Sequence, residues 1–200
     1  NCYRTGKEEA QGICDIIEKK IKKKYSLNNV SILVRAIYQT REFEERFLQV
    51  GIGYRVFGGI KFYERAEIKD AVSYLRIINQ KFDDLALERI IGVPKRGVGE
   101  STLNQIYLFS NQNKLCLEDS IIKILENGEF KPKIKTALKQ LINSIHKWRK
   151  DSLNMKHYDL LKLVLDESGY SAMLKNKKDL ENENRLENLK ELLRAMQDYD

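Results

Sequence analysis

Apolar positions recur every three or four residues through most of this chain, and the exceptions are two short runs near its front. Residues 7–24 place Ala10, Ile13, Ile16, Ile17 and Ile21 at helical spacing. Residues 40–50 repeat that pattern, and Gly51 closes it, as a glycine just past a helix end does. Residues 30–34 (Val-Ser-Ile-Leu-Val) and 53–57 break the period and predict short buried strands. The first 60 residues therefore read helix, strand, helix, strand, which points to a parallel α/β sheet. Two strands are too few for such a sheet to stand alone, so the segment reads as half of a domain. Residues 64–79 are helical again, with Ile68, Ala71, Val72, Leu75 and Ile78 on one side.

From Phe82 onward the pattern predicts helices alone, over residues 85–91, 103–109, 117–125, 134–148, 158–165 and 180–196. Pro94 and Pro132 both fall between predicted helices. The expected fold is an α/β segment with an incomplete parallel sheet, followed by a mostly α-helical domain. The change of character lies near residue 80.

Composition narrows the partners. The net charge is +7 with 32% charged residues. The positive excess sits in residues 1–150, and residues 151–200 are net acidic. Residues 131–150 hold Lys131, Lys133, Lys135, Lys139, Lys147, Arg149 and Lys150 and no acid. Such a bias suits either a solvated helix face or contact with a polyanion. Cys2, Cys14 and Cys116 are too few and too scattered for a disulfide framework or a zinc site, and a reducing cytoplasm is the natural compartment. No run is long and apolar enough to predict a membrane span. The chain opens on Asn rather than Met and has no signal-peptide pattern, and it reads as a fragment of something longer.

One decapeptide concentrates candidate chemistry. Residues 93–102 (Val-Pro-Lys-Arg-Gly-Val-Gly-Glu-Ser-Thr) set two cations, two glycines and two hydroxyls just before an apolar-periodic stretch. Glycines let a ligand approach the main chain closely, and free N–H groups at a helix start attract phosphate. The same pattern also suits a plain turn between helices.

Four blocks in order carry a family resemblance: residues 32–41, residues 58–71, Tyr74-Leu75-Arg76, and residues 93–99. Together they resemble the C-terminal half of superfamily 1 DNA helicases of the UvrD/PcrA/Rep type. In that family two RecA-like motor domains, 1A and 2A, bind ATP between them, and a mostly helical domain, 2B, is inserted into 2A. The resemblance implies that residues 1–80 are the first part of 2A and residues 81–200 are 2B. It implies ATP and Mg²⁺ as cofactors of the full-length protein, with none held by this fragment alone. The chain has no Gly-x-x-x-x-Gly-Lys-Ser/Thr phosphate loop and no Asp-Glu pair of the family's type, so it is expected to be inactive by itself.

The resemblance also implies residue roles. Arg35 would contact the ATP γ-phosphate as an arginine finger does. Val34 stands beside it, where several relatives carry an adenine-stacking aromatic, and Tyr38 is a substitute for that stacking. Arg65, and less strongly Lys61, would contact single-stranded DNA phosphates along 2A. Lys95, Arg96, Gly97, Gly99, Ser101 and Thr102 would hold duplex DNA at 2B without reading its sequence. The expected partners are DNA, the remaining helicase domains and other proteins, with no membrane. Unwinding with 3′ to 5′ polarity is implied by the resemblance alone. The competing readings are a regulatory module that binds proteins through the acidic 151–200 region, and part of a recombination helicase-nuclease.

Overall fold

The structure, a computed structural model, describes residues 2–127, 130–176 and 179–197. The chain divides between Arg65 and Ala66 into two compact units.

The first unit is built on two helices, α1 (Gly6–Lys22) and α2 (Thr40–Val50). Thr5 caps α1, its hydroxyl accepting from the Glu8 amide at 3.1 Å. Gly51, at φ 73°, ends α2 in the left-handed conformation that glycine adopts without cost. Ala10, Cys14 and Ile17 of α1 pack with Phe43 and Phe47 of α2. Burial of such side chains is worth about 1.5–3 kcal/mol each for the larger ones.

The expected α/β sheet is not formed. Among the described residues there is no β-strand, and both runs read as strands lie outside regular secondary structure. Their alternation is nonetheless used. Val30 and Ile32 pack against the α1–α2 cluster while Leu33 is exposed, and Ile52 and Tyr54 pack there while Gly53 and Arg55 face solvent. The period-two signal reported which side chains turn inward. A strand further needs a neighbour to complete its ladder of backbone hydrogen bonds, and no such ladder forms here.

The second unit is helical: α3 (Ala66–Asn79), α4 (Asp84–Gly92), α5 (Glu100–Asn113), α6 (Leu117–Asn127), α7 (Pro132–Asp151), α8 (His157–Glu167), α9 (Tyr170–Asn176) and α10 (Leu180–Gln197). Every helix predicted beyond residue 63 is present, and α9 is an addition. Helix α3 is central and packs against α4, α7, α8 and α10. Its Ile68, Ala71, Tyr74 and Ile77 are fully buried. Pro132 starts α7 at the position where a missing N–H costs nothing. Buried polar groups are paired across helices. Arg149 grips Glu118 with two bonds of 2.6 Å, and Tyr170 donates to Asp70 at 2.7 Å.

Candidate nucleic-acid interface

The loop of residues 93–99 joins α4 to α5, and its backbone decides what it offers. Gly97 has φ 77°, a left-handed conformation that other residues adopt only with strain. Gly99 is ordinary extended backbone, at φ −99° and ψ 178°, and stands at the N-cap of α5 with no side chain to close the helix. The Thr102 and Leu103 amides both reach the Gly99 carbonyl at 3.0 Å. The Glu100 and Ser101 amides therefore have no acceptor within the helix. A β-carbon at Gly97 or Gly99 would meet nothing within 4 Å, so both approaches are open. Lys95 on the loop and Ser101 in the first turn of α5 are exposed, whereas Thr102 is buried on the inner face of α5. Glu100 adds a carboxylate in the first turn of the same helix.

Arg96 behaves differently from Lys95. Its Nη1 donates to the carbonyls of Ile90 at 2.6 Å, Pro94 at 3.0 Å and Ile91 at 3.4 Å. Its Nη2 donates to the Tyr74 hydroxyl at 2.9 Å and the Ser168 carbonyl at 3.4 Å. The guanidinium thus points into the unit. Of the sequence-predicted duplex contacts, the fold brings Lys95, Gly97, Gly99 and Ser101 to one exposed loop, and turns Arg96 and Thr102 inward.

In the first unit, Val34 and Arg35 lie on an exposed segment before α2. Arg65 is buried at 5% exposure and bonds internal acceptors: the Ile60 carbonyl at 3.1 Å, the Ile37 carbonyl at 3.1 Å and the Thr40 hydroxyl at 3.0 Å. These bonds clasp the ends of its own loop. Glu44 is the hub of the same region, accepting from Thr40 at 2.6 Å, from the Phe62 amide at 3.0 Å and from the Tyr54 hydroxyl at 3.2 Å. Burial, then that carboxylate, push the Tyr54 hydroxyl up to about 12. Lys61 sits over the Tyr54 ring, 4.9 Å from its centre, and lines an open groove of about 410 Å³ with Tyr54, Arg55 and Gly59. Phe62 is core, and Tyr63 is 44% exposed with its hydroxyl on Glu45.

The basic run of residues 131–150 separates into roles. Arg149 is consumed by Glu118 and by the Ile77 carbonyl. Lys147 pairs with Glu167, and that contact, with the Trp148 indole at 2.7 Å, holds the Glu167 carboxyl below its usual range. Lys131, Lys133, Lys139 and Lys150 are exposed along α7. Tyr74 stood in the sequence only as part of a resemblance block and Glu44 carried no signal; the roles of both lie in partners outside their own helices.

A family model described as the UvrD-like helicase C-terminal domain matches residues 3–200. The chain belongs to the UvrD-like helicase C-terminal domain family. Among curated relatives, DNA helicase II of Rickettsia typhi is 41% identical over 197 residues, which is 98% of this chain and 30% of that protein. A probable DNA helicase II homolog of Rickettsia felis is 40% identical over 201 residues, covering all of this chain and 31% of the relative. The ATP-dependent DNA helicase PcrA of Staphylococcus epidermidis is 35% identical over 196 residues, or 98% of this chain and 27% of PcrA. The chain therefore spans about three tenths of the length of these relatives.

Proposed function

We propose that this chain supplies the first part of motor domain 2A and the accessory domain 2B of an ATP-dependent DNA helicase, and that the Gly97–Ser101 turn holds the phosphate backbone of duplex DNA. The observation that carries the reading is the uncapped start of α5. Two backbone N–H groups without helical acceptors, the positive end of a helix dipole and the exposed Lys95 converge on one open turn. Such contacts hold a duplex without reading its bases, as unwinding of arbitrary sequence requires. Membership of the helicase family supports the substrate class. Residues 1–80 are assigned to motor domain 2A and residues 81–200 to 2B.

For ATP, the residues present fit one end of the nucleotide. Arg35 is exposed and would hold the γ-phosphate, while the sequence has no phosphate loop to hold the remainder. When bound in the full-length protein, ATP with Mg²⁺ supplies the phosphoryl transfer that powers movement. Arg35 would contribute positive charge there, and Val34 would offer an aliphatic surface to the base. In the first unit, Lys61, half-buried at the rim of the open groove, is the candidate for single-strand phosphates. Arg65 is assigned to holding the loop that presents Lys61.

Fluorescence anisotropy with a duplex carrying a single-stranded tail tests the assignment. Affinity should fall as salt rises, and Lys95→Ala should lower the log–log salt slope by about one. Salt-independent binding, or binding confined to the acidic 151–200 region with another protein, would instead favour an interaction module.

A further inference from the structure

Building on the duplex-cradle reading, we infer that Arg96 is the positioning residue of the cradle and makes no phosphate contact itself. A guanidinium has five N–H groups, four of them on the two terminal nitrogens. Here both terminal nitrogens are committed to five internal acceptors, so no terminal N–H remains to donate to a phosphate.

The acceptors explain what the side chain does. Ile90 and Ile91 carry carbonyls of the last turn of α4, which lack partners within the helix and form the negative end of its dipole. Arg96 closes that end, and α5 starts three residues later at its Gly99 cap. The Ser168 carbonyl lies 72 residues along the chain, at the junction of α8 and α9, and ties the loop to that corner. Tyr74 completes the brace. Its hydroxyl accepts from Arg96 and donates to the Val93 carbonyl at 3.0 Å, and its fully buried ring meets Trp148 edge-on at 5.8 Å. The loop is therefore fastened at Val93, Pro94 and Arg96, and left open from Gly97 to Ser101. A lysine cannot reproduce this, because an ammonium is a point charge and lacks the planar fork.

Four variants of the 200-residue chain test the inference: Arg96→Lys, Arg96→Ala, Tyr74→Phe, and Arg149→Lys as a comparator. Arg149 is another partly buried arginine of the same unit, engaged elsewhere. The probe is a tailed duplex followed by anisotropy across a salt series, with thermal unfolding and amide relaxation of residues 97–101 measured in parallel. Arg96→Lys should lose about tenfold in affinity, the scale of one or two charge-assisted hydrogen bonds, with the salt slope unchanged. Tyr74→Phe should lose less, in the same sense. In both, the 97–101 amides should become more mobile on the picosecond–nanosecond scale.

Retained affinity in Arg96→Lys, with a slope lower by about one in Arg96→Ala, would mark a direct phosphate contact and overturn the inference. So would 97–101 amides as rigid as in the parent chain. An equal affinity loss in Arg149→Lys at matched thermal stability would reduce Arg96 to a general stability role. If the parent chain binds no tailed duplex, the cradle reading itself fails. Amide mobility alone then decides whether Arg96 orders the loop.

Discussion

Gly97 and Gly99 sit two residues apart and are glycines for different physical reasons. At Gly97 the backbone requires it, and Gly97→Ala should cost about 1 kcal/mol of stability in a denaturant titration. At Gly99 the backbone suits any residue, and what matters is the missing side chain. Gly99→Asn would place a neutral capping group over the open amides of α5. Its stability should rise by a few tenths of a kcal/mol, while affinity for tailed duplex falls. Opposite signs in the two measurements cannot come from misfolding. A third residue-scale expectation concerns Glu118, which has no solvent exposure and is gripped by Arg149. Glu118→Ala leaves the partly buried Arg149 with only the Ile77 carbonyl as acceptor and should cost about 3 kcal/mol in urea unfolding. A loss below about 1 kcal/mol would show that the pair is dispensable.

The helices were legible in the sequence because each carries its own apolar stripe, and α3 through α8 and α10 stand where the periodicity put them. Helix α9 was missed because seven residues hold barely two turns of pattern. The two strands were misread for an instructive reason. Val30, Ile32, Ile52 and Tyr54 alternate as strand residues do, and they do pack inward. Alternation records burial, whereas a sheet needs a paired backbone. Amides of residues 31–34 should thus exchange with solvent far faster than those of α2, and slow exchange there would contradict the structure. The candidate site was half legible. The glycine spacing and Lys95 announced an anion-facing turn, but the inward aim of Arg96 and Arg65 depends on acceptors up to 72 residues away, which no local pattern reveals. The Tyr54–Glu44 bond between the loop and α2 yields a pH expectation. Tyr54 is raised to about 12 in the folded chain, so its contribution is complete below the ordinary tyrosine value near 10. Stability should fall between about pH 10 and 12, and Tyr54→Phe should flatten that limb of a urea-unfolding series.

Taken whole, the chain is basic at +7, yet several of its cations serve its own architecture. Arg65, Arg96 and Arg149 are turned to internal acceptors, and Lys147 to Glu167. Exposed positive charge remains on lysines, with Lys95 beside the open turn and others along α7, and on arginines such as Arg35 and Arg55. No helix among the described residues is long and apolar enough to cross a membrane. Duplex DNA as the ligand is our proposal, supported by family membership and the uncapped start of α5. The most direct measurement is an anisotropy titration of tailed duplex between about 50 and 200 mM salt, comparing the parent chain with Lys95→Ala and Gly99→Asn. The account predicts salt-sensitive binding, a slope lower by about one in Lys95→Ala, and weakened binding in the more stable Gly99→Asn chain. Binding that ignores salt, or that both variants leave unchanged, would contradict it.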